Sequence, residues 1–151
     1  MAEKINSFYV SGTDKIRPDL FNEFAEKVAK GLAEIKDNPN NPRKPFKNGV
    51  SSTQIRKLFD EIKRYERLII EDDLSSWDKQ YPYIKMMKSK VSYSVARSKK
   101  KHQRDAKYYD NLANFISEGI DLINTPKDYH VFVSLFEAVY GFYYQIGIDL
   151  D

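Results

Sequence analysis

Near the end of the chain stands Thr125-Pro126-Lys127-Asp128-Tyr129-His130-Val131-Phe132-Val133-Ser134-Leu135-Phe136-Glu137-Ala138-Val139-Tyr140-Gly141-Phe142-Tyr143-Tyr144. Thr125 is an N-cap type, and Pro126 suits a first helical position, where its missing N–H costs nothing. The residues that follow are apolar or aromatic on most sides of a 3.6-residue period, as expected of a helix central in its bundle or shared with a partner chain. The spacing predicts a helix opening here and running to about residue 146.

Working outward from that helix, the same period recurs upstream. Tyr109, Leu112, Phe115, Ile116, Ile120 and Ile123 mark a helix over about 105–124. Ile84, Met87, Val91 and Val95 mark another that opens at Pro82 and runs to about residue 100, after a break over 72–81 that holds Trp77. Ser51 and Ser52 are candidate caps for a helix carrying Ile55, Leu58, Phe59, Ile62, Tyr65 and Ile69, to about residue 71. Leu20, Phe21, Phe24, Val28, Leu32 and Ile35 give a first helix over 19–37, weakened at Gly31. Residues 37–50 hold three prolines and four asparagines and read as a mobile loop. Residues 1–17 show no sustained period and read as a flexible N-terminal arm. Nothing alternates with period two over a strand's length. The expected fold is therefore all-α, a compact bundle of about five helices forming a single domain over 18–151.

A chain of 151 residues suits one domain with its own core. It has no cysteine, which excludes disulfides and thiolate metal sites. No apolar run approaches the roughly 20 residues of a bilayer span, and the start has no signal-peptide core, so the expected location is the cytoplasm.

The usual catalytic sets are absent from the pattern. His102 and His130 lie in different segments, without metal-ligand spacing, and read as solvated or polar surface residues. The acidic clusters 71–73 and 149–151 stand at element ends. Glu137 is a lone acid in an apolar helix, best read as one half of an ion pair between helices. The run Asn48-Gly49-Val50-Ser51-Ser52 lacks the lysine spacing of a phosphate loop, although the first turn of a helix offers free N–H groups to an anion. These observations predict no catalytic residues, no metal and no cofactor.

The net charge is only +3, so the placement of charge matters more than its sum. Lys85, Lys88, Lys90, Arg97, Lys99, Lys100, Lys101, Arg104 and Lys107 lie between residues 85 and 107 with one acid, Asp105. On a helical wheel Lys90, Arg97 and Lys101 share a side, with Tyr93 alongside, while Arg56, Lys63 and Arg67 flank the apolar stripe of the preceding helix. Such spacing suits a row of phosphates, and it equally describes a solvated helix face. Arg43, Lys44 and Lys47 in the loop admit the same two readings. The eleven tyrosines and nine phenylalanines supply core area, and any exposed tyrosine offers a stacking face.

Three stretches, in order, resemble one family. Ser51-Ser52-Thr53-Gln54-Ile55-Arg56-Lys57 resembles the helix-opening signature of the small subunit of type III-A CRISPR–Cas (Csm) effector complexes. Lys88-Ser89-Lys90-Val91-Ser92-Tyr93-Ser94-Val95-Ala96-Arg97 is similar to that family's basic helix, with Ala96 where glycine is expected. Phe136-Glu137-Ala138-Val139-Tyr140, within 132–144, is similar to its aromatic last helix. The resemblance covers about residue 50 to the end.

It implies a non-catalytic subunit that stacks in several copies along a ribonucleoprotein filament of antiviral defence. Its implied partners are target RNA, the guide RNA duplex and other Csm effector subunits, with self-association along the filament and a possible homodimer in isolation. Cleavage and signalling would belong to other subunits. The residues expected to contact RNA are Arg56, Lys57, Lys63, Arg64, Lys90, Tyr93, Arg97 and Lys101, acting on the backbone because such a subunit serves any target sequence. The alternative is a helical protein–protein adaptor, or a homodimer, that docks an acidic partner without nucleic acid.

Overall fold

The structure, a computed structural model, describes residues 4–69 and 73–146. Among these the fold is mostly α-helical, with five α-helices and one short hairpin. A π-helical turn, Leu20–Phe24, leads into α1, Ala25–Lys30. β1, Ala33–Lys36, pairs antiparallel with β2, Phe46–Gly49. Then come α2, Ser52–Leu68, α3, Leu74–Lys101, a 3-10 turn at Gln103–Asp105, α4, Ala106–Asp121, and α5, Pro126–Gln145.

Helix α5 is the centre of the core. Its Tyr129, Val131, Phe132, Val133, Leu135, Phe136, Val139 and Tyr143 are buried against α1, α2 and the π turn. Each full burial of a large apolar side chain contributes roughly 1.5–3 kcal/mol, which explains why this segment is apolar around most of its circumference. Its start is a capping box: Thr125 Oγ1 accepts from the Asp128 amide, and Asp128 Oδ2 accepts from the Thr125 amide. Phe59 of α2 stacks on Phe136 with ring centres 5.7 Å apart. The aromatic residues of α5 thus mostly face inward, Tyr144 at 78% exposure being the exception.

Three segments depart from the sequence reading. The first helix stops at Lys30, not near residue 37. Gly31 caps it, and the chain turns into a hairpin with Ala33 opposite Gly49 and Lys36 opposite Phe46. Ala33-Glu34-Ile35-Lys36 does alternate, but four residues are too few to declare a strand. Pairing decides the matter, helped by Tyr108 of α4, whose hydroxyl donates to Glu34 at 2.7 Å and whose pKa burial and that bond push up to about 12. Gly49 has φ 151°, and a Cβ there would meet the Leu32 carbonyl oxygen at 2.6 Å, so the hairpin closes only on glycine.

The third helix begins at Leu74, eight residues before Pro82, which lies in its interior. An interior proline costs about 3 kcal/mol in isolation. Here the first turns are held from within and from outside: Asp73 caps Ser75 and Trp77 stacks on Tyr81 at 4.8 Å inside the helix, while the Tyr81 hydroxyl donates to Ile123 O, past the end of α4, at 3.0 Å.

The segment read as an arm contributes to the core over its described part, residues 4–17. Ile5 and Phe8 are buried, and Tyr9 donates its hydroxyl to buried Asp128 at 2.5 Å. Residues 1–3 of that segment, Glu71 and Asp72 of one acidic cluster, and all of 149–151 lie outside the described residues.

Candidate nucleic-acid interface

The first turns of α2 and the C-terminal half of α3 enclose a surface groove. Ser51, Thr53, Gln54 and Lys57 line it from α2; Tyr93, Ser94, Arg97, Ser98 and Lys101 line it from α3. A second, more apolar depression continues it along the same two helices, from Lys57 and Leu58 to Glu61, Met87 and Lys90. Four of the eight expected RNA-contacting residues, Lys57, Tyr93, Arg97 and Lys101, therefore meet in one groove, and Lys90 stands at its extension.

The chain positions these groups through packing beneath them. Ile55 and Ile62 of α2, and Val91 and Val95 of α3, are buried, which turns Lys57 and the Tyr93–Arg97 face outward. Ser51 caps α2 by accepting from the Gln54 amide at 3.1 Å, so the positive end of the helix dipole opens onto the groove. Gln54 then ties the helices together, donating to Ser94 Oγ and accepting from Ser98 Oγ, each at 2.8 Å. Tyr93 is 66% exposed, and the Arg97 guanidinium lies 5.8 Å from its ring centre.

Charge is sorted along α3. Lys85 donates to the Ile120 carbonyl at 2.8 Å, while Lys88 pairs with Asp121 at 2.6 Å and Lys99 with Asp110 at 2.8 Å. These three turn toward α4. Lys90 reaches Glu61 at 3.2 Å, and that bond, with the carboxylate's charge, holds its ammonium above its ordinary pKa. Lys57, Arg97 and Lys101 have no carboxylate partner among the described residues. The positive charge of the groove is thus concentrated and uncompensated, an arrangement that attracts a polyanion and releases its counterions.

The other expected residues lie elsewhere. Arg56 is exposed but does not line the groove. Lys63 pairs with Glu66 at 3.1 Å, and Glu66 in turn bonds His130 Nδ1 at 3.0 Å, so Lys63 belongs to the α2–α5 contact. Arg64 lies over the Tyr65 ring at 4.8 Å. The expected contacts did not include Thr53, Gln54, Ser94 and Ser98, which also line the groove, although the first three lie in the stretches that carry the family resemblance.

The isolated polar residues also resolve. His130, read as exposed, is partly buried and paired with Glu66, while His102 is exposed, with its ring nearly parallel to that of Tyr109. Glu137 is exposed and makes no ion pair among the described residues, contrary to its expected role between helices. Among the described residues, no three His, Cys, Asp or Glu are grouped to hold a metal, and no helix is long and apolar enough to cross a membrane.

No curated protein and no solved structure matches the chain significantly. A model of the family Csm2 Type III-A does match, over residues 30–146. The match spans the hairpin and all of α2 to α5, and it begins about twenty residues before the stretch that carries the visible resemblance. The chain belongs to the Csm2 type III-A family, the small subunit of type III-A CRISPR–Cas Csm complexes.

Proposed function

We propose that this subunit is a non-catalytic, RNA-contacting component of its complex, stacking in several copies along the filament beside the other Csm subunits. In this role the α2–α3 groove lies against the backbone of target RNA or of the guide–target duplex. The single observation that carries the reading is the set of Lys57, Arg97 and Lys101, three cations in one groove without carboxylate partners among the described residues. Phosphate contacts suit a subunit that serves any target, because they set position without reading bases. Of the remaining expected contacts, Lys90 and Tyr93 extend this surface, whereas Arg56, Lys63 and Arg64 would contact RNA only from outside the groove. We place the complex in the cytoplasm, where target transcripts occur.

The test is RNA affinity as a function of salt. The full chain should bind single-stranded RNA weakly and without sequence preference, each phosphate contact contributing roughly 0.7 to the slope of log K against log salt. The triple variant Lys57→Ala, Arg97→Ala, Lys101→Ala should lose affinity and flatten that slope by about two, with its helical circular dichroism unchanged. Unaltered RNA binding by the triple variant overturns the reading. An acidic protein partner displaced by the same substitutions, with no RNA bound by the native chain, would favour the adaptor instead.

A further inference from the structure

The Gln54 side chain does more than join two helices. Its amide nitrogen donates to Ser94 Oγ and its amide oxygen accepts from Ser98 Oγ. One carboxamide therefore sets two hydroxyls, a helical turn apart on α3, in opposite senses. Ser94 has received a bond and has its proton to give. Ser98 has given its proton and keeps its lone pairs. Turning the amide over exchanges the two roles and still leaves one donor beside one acceptor. Neither hydroxyl has a further partner among the described residues, and both line the groove with Lys57, Arg97 and Lys101.

A phosphate oxygen only accepts, so it complements the cations but not a serine offering lone pairs. Among the groups of a nucleic-acid backbone, the one that complements a donor and an acceptor side by side is a hydroxyl. On a strand whose phosphates lie against the three cations, the hydroxyl next to those phosphates is the ribose 2′-OH, both donor and acceptor and absent from DNA. We propose that Gln54, Ser94 and Ser98 form a ribose-reading site that makes this groove prefer RNA to DNA. The inference rests on the RNA-backbone reading of the groove given above.

The test compares the full chain's affinity for oligouridylate, oligodeoxyuridine and 2′-O-methyl oligouridylate of equal length. The ribose polymer should bind roughly tenfold tighter than the deoxyribose one, as two modest hydrogen bonds allow. The 2′-O-methyl polymer, which keeps an acceptor and loses the donor, should fall between. Ser94→Ala with Ser98→Ala should abolish the preference, so that the variant binds RNA and DNA with equal affinity. Ser94→Thr with Ser98→Thr retains both hydroxyls and should retain the preference. The Lys57, Arg97, Lys101 triple alanine variant should weaken both polymers alike and preserve their ratio.

Equal affinity of the native chain for RNA and DNA, with dependence on the three cations intact, overturns the ribose site and leaves the groove reading standing. A preference for RNA that survives in the double alanine variant also overturns it. RNA binding that ignores the cation triple overturns the groove reading and the ribose site together.

Discussion

Tyr109 and Tyr143 hold the two ends of one peptide group. The Tyr143 hydroxyl, from α5, donates to the carbonyl of Val50 at 2.5 Å, and the Tyr109 hydroxyl, from α4, accepts from the amide of Ser51 at 3.1 Å. That peptide group immediately precedes α2 and carries its N-cap. Two core helices thereby position the end of α2 that forms the groove, and the phenol oxygens satisfy backbone groups that burial would otherwise leave without water.

Tyr143→Phe should destabilise the protein by about 1–3 kcal/mol, because the Val50 carbonyl loses its phenol partner in a buried setting. Tyr109→Phe should cost a similar or smaller amount through the Ser51 amide. Since both bonds serve one peptide group, the double variant should depart from additivity. Urea unfolding of the three variants measures this, and strict additivity would mean the two bonds act independently.

Two glycines should respond with opposite signs to alanine. A Cβ at Gly119 would overlap the buried ring of Phe132, so Gly119→Ala should lose about 1–3 kcal/mol despite alanine's better helix propensity. A Cβ at Gly141 meets nothing within 4 Å, so Gly141→Ala should gain roughly 0.5–1 kcal/mol. Thermal and urea midpoints decide the signs.

Glu66 should contribute to the acid limb of the stability curve. Burial pushes its carboxyl up, but bonds from His130 and Lys63 outweigh that and hold it below the usual carboxylate range. A carboxylate depressed in the folded state stabilises above its unfolded pKa, about 4.3, and loses that contribution as pH falls through its lower folded value. Glu66→Gln should therefore lower stability at neutral pH, by no more than about 1 kcal/mol because solvent screens the partly exposed cluster, and flatten the loss below about pH 5. Urea midpoints between pH 3 and pH 7, on the order of one unit apart, would show it, and parallel curves for variant and native chain would refute it.

Residues 4–17 should behave as part of the core. Phe8 is 1% exposed, with its ring 6.5 Å from that of Phe132. Phe8→Ala should cost about 3–5 kcal/mol. A loss under about 1 kcal/mol in urea unfolding would restore the reading of an independent arm.

Read alone, the sequence carried the helices whose stripes run long enough to repeat. Helices α2, α4 and α5 were legible because Ile55 to Tyr65, Tyr109 to Ile120 and Tyr129 to Tyr143 each hold a 3.6-residue period over several turns, with Ser51 and Thr125 marking starts. It also showed which α3 cations share a side, since that follows from helical geometry alone. Tertiary structure decided what local pattern cannot express. Leu32 to Lys36 became a turn and strand because β2 lay opposite it and Gly49 let the chains approach. Helix α3 ran through Pro82 because Trp77 is buried and Tyr81 bonds to Ile123, which together outweigh the proline. Ile5 and Phe8 joined the core because the fold presented an apolar site to them. Lys63 and Arg97, alike in sequence as basic residues on helix flanks, ended in different surroundings, one beside Glu66 and one without a carboxylate partner among the described residues. Periodicity is a property of neighbours along the chain, whereas compensation of a charge depends on groups brought close only by folding.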